Sequence, residues 1–118
     1  MKVAFARKGQ VLVVRLSGEL DEHAALGART SIDDRLHRGG QHLLFDFRKL
    51  TFMDSTGIGL ILGRYKEIHP VGGMLAYFGA DKQVQRLLKI SGLLRIGKLY
   101  ATEEEALLAL KKEGGSKG

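Results

Sequence analysis

Residues 42–68 read HLLFDFRKLTFMDSTGIGLILGRYKEI, and this stretch decides the fold. His42 to Phe47 is an apolar run broken only by Asp46, the pattern of a central strand covered on both faces. From Ser55 the spacing changes. At about 100° per residue, Ile58, Ile61, Leu62, Tyr65 and Ile68 share one side of a helix, and that side is expected to pack on the sheet. Thr56, Leu60, Gly63 and Glu67 are left on the other side. A buried strand running straight into such a helix points to crossovers between parallel strands.

The flanking sequence supports the same architecture. Val3 to Arg7 and Val11 to Ser17 are β-rich runs separated by Lys8-Gly9, the signature of a hairpin. Gly18-Glu19-Leu20-Asp21 ends the second run, and Asp21 is placed to cap a helix from about His23 to Leu36, with Ala25, Ile32 and Leu36 inward. Gly39-Gly40 stops that helix. Downstream, Pro70-Val71-Gly72-Gly73 makes a turn and Met74 to Phe78 a strand. Gln83 to Ile90 reads as a third helix with Val84, Leu87, Leu88 and Ile90 inward, ended by Ser91-Gly92. Leu94 to Tyr100 gives the last strand, and Thr102 caps a final helix whose Glu103, Glu104 and Glu105 suit its positive end. The order β-β-α-β-α-β-α-β-α, without repeats or linkers, predicts one α/β domain over residues 3–110. It is a small mixed β-sheet with about four helices packed on it. The terminal KKEGGSKG, residues 111–118, is expected to form a flexible tail.

Composition removes several function classes. A chain of 118 residues holds one domain with one real core, and 44% hydrophobic with 27% charged residues is ordinary for a soluble globular protein. No stretch approaches the roughly 20 apolar residues of a membrane span, and MKVAFARKGQ lacks the apolar run of a secretory signal, so a cytoplasmic location is expected. With no cysteine there are no disulfides and no thiolate metal sites. The net charge of +6 invites a nucleic-acid reading. The basic residues are nevertheless scattered from Lys2 to Lys117, with no stripe interleaved with aromatics, so no direct nucleic-acid partner is expected.

The junction MDSTGIG, residues 53–59, holds the chemistry. Asp54 or Ser55 can cap the helix by accepting hydrogen bonds from its free first-turn amides. Capping leaves the outer side unexplained, because glycine in a helix costs about 1 kcal/mol against alanine and this helix carries three. An exposed Leu60 flanked by Gly57 and Gly63 is the surface expected to receive a second protein. Other chemistries fit less well. Gly57, Gly59 and Gly63 miss the dinucleotide fingerprint by one place, and no G-K-[ST] phosphate loop exists. Ser55 lacks the G-x-S-x-G elbow, and His23, His37, His42 and His69 show no spacing that makes one of them its base. They are read as solvent-facing or partly packed. Asp21 and Asp54 could share a metal, yet each sits at a helix start, where capping is the simpler role.

Four segments together, RLSGELDEHAA (15–25), LTFMDSTGIGLILGRYKEI (50–68), GGMLAYFG (72–79) and LLKISGLLRI (87–96), resemble the STAS-domain anti-anti-sigma factors. The wording is most similar to the sporulation branch, the anti-sigma F factor antagonists, from about Val3 to Leu110. The resemblance implies a non-catalytic protein without a cofactor. Such proteins bind an anti-sigma factor that is also a serine kinase (SpoIIAB-like) and release the sigma factor it holds. It further implies phosphorylation at Ser55, directly after the motif's aspartate, reversed by a PP2C-type phosphatase (SpoIIE-like). Joined to the acidic helix starts and the outer side of the helix read above, this makes the expected partner surface Asp21, Asp54, Ser55, Thr56, Gly57, Leu60 and Gly63. Thr56 stands where the sporulation branch carries serine and stress-response relatives threonine, and the positive charge departs from near-neutral or acidic members. The alternative is a STAS domain that senses a ligand or nucleotide, or serves as a scaffold in a signalling assembly.

Overall fold

The computed structural model describes residues 1–114. Five strands lie in sequence order across one sheet: β1 (Lys2–Lys8), β2 (Val11–Leu20), β3 (His42–Met53), β4 (Leu75–Phe78) and β5 (Gly97–Tyr100). β1 and β2 pair antiparallel through a turn where Gly9 has φ +62°, a conformation glycine adopts without strain. Every later pair is parallel, so each connection must cross over the sheet. The crossovers are α1 (Glu22–His37), α2 (Ser55–Ile68), and α3 (Lys82–Ile90) followed by the single turn α4 (Leu93–Ile96). α5 (Glu103–Gly114) closes the described chain, with the Glu105 N–H donating to Thr102 Oγ1 at 3.2 Å as the expected cap. The residues expected as a tail are therefore helical through Gly114, and 115–118 lie outside the described residues.

β3 is the middle strand and is covered on both sides, as its apolar run predicts. Alternation sends Leu43, Phe45 and Phe47 toward α1, α2 and α3, where Ile32, Ile61 and Leu88 are fully buried with them. Leu44 faces the other way, into a smaller cluster with Val13, Ala76, Phe78, and Ala106 and Leu110 of α5. Asp46 follows on this second face, and its burial is compensated by charge. Arg15 reaches it at 3.0 Å and Arg48 at 2.8 Å, while Arg15 also holds Glu103 at 2.8 Å, tying the start of α5 to the sheet. Burial pushes the Asp46 carboxyl up, but the hydrogen bonds from Arg48 and Arg15 outweigh it and hold the group below its ordinary range.

Three expectations need correction. β3 does not stop at Phe47 but runs to Met53, because its later residues still pair with β2 although Arg48, Lys49, Thr51 and Phe52 are exposed. The segment expected as a strand from Leu94 begins as a helical turn: Gly92 takes φ +85°, and the Tyr77 hydroxyl donates to the Leu93 carbonyl at 2.7 Å. Of this segment, only Gly97–Tyr100 is strand, paired with β4. Ile90 points outward at 73% exposure, since Val84 and Leu88 define the buried side of α3.

Candidate functional site

The strand-to-helix junction after β3 is built by backbone geometry first. Asp54 is extended (φ −116°, ψ −165°), and its Oδ1 accepts the Thr56 N–H at 2.9 Å while its carbonyl accepts the Ile58 N–H at 3.1 Å. Hydrogen bonding from Thr56, side chain before backbone, with a further backbone bond from Gly57, holds the Asp54 carboxyl below its ordinary range. Asp21 caps α1 with the same kind of bond, accepting the Ala24 N–H at 3.0 Å. Leu20 and Met53 are register partners at the ends of β2 and β3. Asp21 and Asp54, which follow them, therefore leave the same edge of the sheet side by side. In open parallel sheets this carboxyl edge is where binding sites collect.

Ser55 is the first residue of α2, exposed, and its hydroxyl has no hydrogen-bond partner among the described residues. Capping is done by Asp54, so the serine is left available for chemistry without cost to the helix. The positive end of the helix dipole also favours an anion at this position. Thr56 lies beside it, half-buried.

The helix is rotated nearly a quarter-turn from the expected orientation. Gly57, Leu60, Ile61, Arg64 and Ile68 form the buried stripe, whereas Leu62 is 37% exposed. Leu60 is only 6% exposed and belongs to the main core, so the expectation of an outward Leu60 on a partner surface is corrected. Gly57 is also inward: a Cβ there would lie 2.5 Å from Met53 Cγ and 2.9 Å from Leu20 Cδ2. Close packing within the domain explains this glycine, not a partner. Gly59 and Gly63 are different, since a Cβ at either would meet no other described residue's atoms within 4 Å, the helix's own backbone and chain neighbours aside. The exposed side of α2 thus runs from Ser55 through Gly59 to Leu62, with Gly63 half-exposed at its margin.

His42 also departs from expectation. It is 3% exposed, its Nδ1 accepts the Met74 N–H at 2.9 Å, and burial holds its pKa below the ordinary value. Among the described residues no group of three or more His, Asp or Glu side chains could hold a metal ion, and no helix is long and apolar enough to cross a membrane.

Sequence comparison matches residues 2–106 to the STAS domain family. The chain belongs to the STAS family. This STAS domain is 44% identical over 102 residues to the anti-sigma F factor antagonist of Paenibacillus polymyxa, covering 86% of this chain and 87% of that protein. Among solved structures it is similar to the anti-sigma factor antagonist SpoIIAA in its unphosphorylated form, with a TM-score of 0.80 at 33% identity and 97% of each chain covered. It is also similar to the Bacillus cell fate determinant SpoIIAA in the phosphorylated form, with a TM-score of 0.74 at 32% identity, covering 92% of this chain and 99% of that one.

Sequence reasoning missed two further features of the STAS domain. One is Arg64, 5% exposed, whose Nε lies 3.0 Å from Asp33 Oδ1 of α1. An arginine within the apolar pattern of α2 hides the buried stripe, and its partner is 31 residues away in sequence, beyond the reach of local patterning. The other is Asp81, which caps α3 by accepting the Val84 N–H at 2.8 Å. Its position just before that helix was a readable signal.

Proposed function

We propose that this STAS domain is an anti-sigma factor antagonist switched by phosphorylation of Ser55. In this reading the unmodified form binds a serine-kinase anti-sigma factor through the carboxyl edge of β2 and β3 and the exposed side of α2. Binding releases the sigma factor, and a PP2C-type phosphatase removes the phosphate to restore the unmodified, binding form. Asp21, Asp54, Ser55, Thr56 and Gly63 remain candidate contacts, joined by Gly59 and Leu62. Gly57 and Leu60 act by holding the helix in place. The chain itself performs no catalysis.

The observation that carries this reading is the exposed Ser55 hydroxyl, without a partner among the described residues, in a first turn whose capping is done by its neighbour. A kinase can reach it without unfolding the domain. Phosphate adds about −1.5 to −2 charge at neutral pH. The free helix end accommodates that charge in the isolated domain, so the cost falls on the complex, where charge and bulk enter a docked surface beside Asp54. A binding loss of about 2–3 kcal/mol, on the order of 100-fold, suffices to exchange partners.

The test is incubation with the genomically adjacent anti-sigma kinase and ATP, read by mass spectrometry. One phosphate on Ser55, absent from a folded Ser55→Ala variant, is expected. Full incorporation at Thr56 or elsewhere would refute the assignment.

A further inference from the structure

α1 and α2 pack side by side and leave a groove of about 400 Å³ that opens beside the phosphorylation position. Its walls are Ala25, Leu26 and Arg29 from α1, and Thr56, Leu60 and Arg64 from α2. Gly59 and Gly63 form its floor as bare helix backbone, open to within 4 Å. Small residues alone would say only that something can come close. The charge in the groove says what.

Arg64 is 5% exposed, and its Nη1 is buried with no hydrogen-bond partner among the described residues. Its Nε lies 3.0 Å from Asp33 Oδ1, but that N–H is not aligned on the oxygen, so the contact is an ion pair without a hydrogen bond. Arg29 reaches the other oxygen of the same carboxylate, Nε to Oδ2 at 3.9 Å, with its side chain 62% exposed. Two guanidinium groups therefore share one carboxylate. Buried cations are seldom left with unused donors, because the desolvation is compensated only by pairing. A second carboxylate supplies the counter-charge that one aspartate shared by two guanidinium groups leaves short.

The phosphate of the chain's own Ser55 is too distant to be that anion. It stands nine positions before Arg64 on the same helix, about 13 Å along the axis. An external group must enter, and the groove has an apolar lip where Leu26 is 70% exposed. Thr56 links the groove directly to Ser55.

We infer that the α1–α2 groove receives an acidic side chain, aspartate or glutamate, projecting from the bound anti-sigma factor, with Arg64 and Arg29 as its cationic partners. This rests on the reading that an anti-sigma factor docks at Ser55, and it adds the element of recognition that lies away from the phosphate. The glycines of the floor let the partner's backbone approach, and Leu26 contacts the aliphatic part of the entering segment. A salt-sensitive contact beside the switch adds affinity that phosphorylation does not itself remove.

The experiment is calorimetric titration of the full chain with the anti-sigma factor at low and high salt, comparing wild type with Arg29→Glu, Arg64→Gln and Ser55→Glu. Arg29→Glu alters an exposed side chain and keeps the fold, so the test survives even if Arg64→Gln melts early. Both arginine variants are expected to weaken binding about tenfold or more at low salt, with a smaller loss at high salt. One Asp or Glu to Arg exchange on the anti-sigma factor should recover affinity for Arg29→Glu. Wild-type affinity in both arginine variants, with Ser55→Glu still impaired, overturns the groove and leaves the Ser55 reading standing. No binding by wild type overturns both. Saturation of the groove by millimolar inorganic phosphate, with no effect on partner affinity, would make it a free-anion site and also overturn the inference.

Discussion

Replacing each glycine of α2 with alanine separates what the fold requires from what it leaves open. In all three cases alanine gains about 1 kcal/mol of helix propensity. At Gly57 the added methyl would sit 2.5 Å from Met53 Cγ, with Leu20 Cδ2 and Cγ at 2.9 and 3.0 Å. Ordinary carbon contacts are about 3.5–4.0 Å, so the nearest neighbour must give by about 1–1.5 Å. Leu20 is fully buried and Met53 is 6% exposed, which leaves them little room. Overpacking of this kind costs about 1–3 kcal/mol, so Gly57→Ala comes out destabilising by up to about 2 kcal/mol. At Gly59 and Gly63 a Cβ would meet no described atom within 4 Å beyond its own helix backbone and chain neighbours, and the propensity gain stands alone. For a chain of this size 1 kcal/mol moves Tm by about 3–6 °C. Thermal and urea unfolding should therefore show Gly57→Ala falling, and Gly59→Ala and Gly63→Ala rising by several degrees. A stabilised Gly57→Ala, or a destabilised Gly63→Ala, would refute the rotation assigned to α2. The two stabilised variants should also bind the anti-sigma factor more weakly if that side of the helix is reserved for a partner.

Leu60→Ala should lower stability by about 2–5 kcal/mol in urea titrations, since the side chain lies in the main core, and an effect within 0.5 kcal/mol would place it outside. His42 has a folded pKa below its unfolded value of about 6.5, so between the two the unfolded chain binds a proton that the folded chain excludes. Its contribution is complete above about pH 6.5 and is lost as pH falls toward the folded value; His42→Asn should flatten that slope in unfolding measured across pH 5–7. Glu103 is depressed, chiefly by its hydrogen bond from Arg15, so its contribution is present above the unfolded value of about 4.3 and is lost as pH falls through the folded one. Glu103→Gln should therefore reduce the loss of stability below that pH, and an unchanged acid transition would remove the ion cluster as its cause.

Much of this architecture was legible because it follows local rules. Asp21 and Asp54 read as caps and act as caps, and the apolar run from His42 marked the central strand. The facing of α2 was not legible. Its buried stripe begins with Gly57 and includes Arg64, residue types that no apolar count would choose, while Leu62 and Tyr65 lent weight to the wrong side. Only the neighbouring α1, with Asp33 opposite Arg64, and the close contact of Gly57 with Leu20 and Met53, set the rotation. The end of β3 was hidden for a related reason. Past Phe47 the strand keeps its pairing with β2 while exposing Arg48, Lys49, Thr51 and Phe52, so hydrogen bonding continues where hydrophobicity stops. His42 carries no sequence mark of burial, because its acceptor role depends on Met74 arriving from β4's entry.

The most direct test of the account is calorimetric affinity for the cognate anti-sigma factor, measured on the unmodified chain and on the same chain singly phosphorylated at Ser55. The switch requires tight binding by the unmodified form and a loss on the order of 100-fold in the phosphorylated form, with the melting temperature nearly unchanged because the helix end tolerates the anion. Equal affinity of the two forms would contradict it.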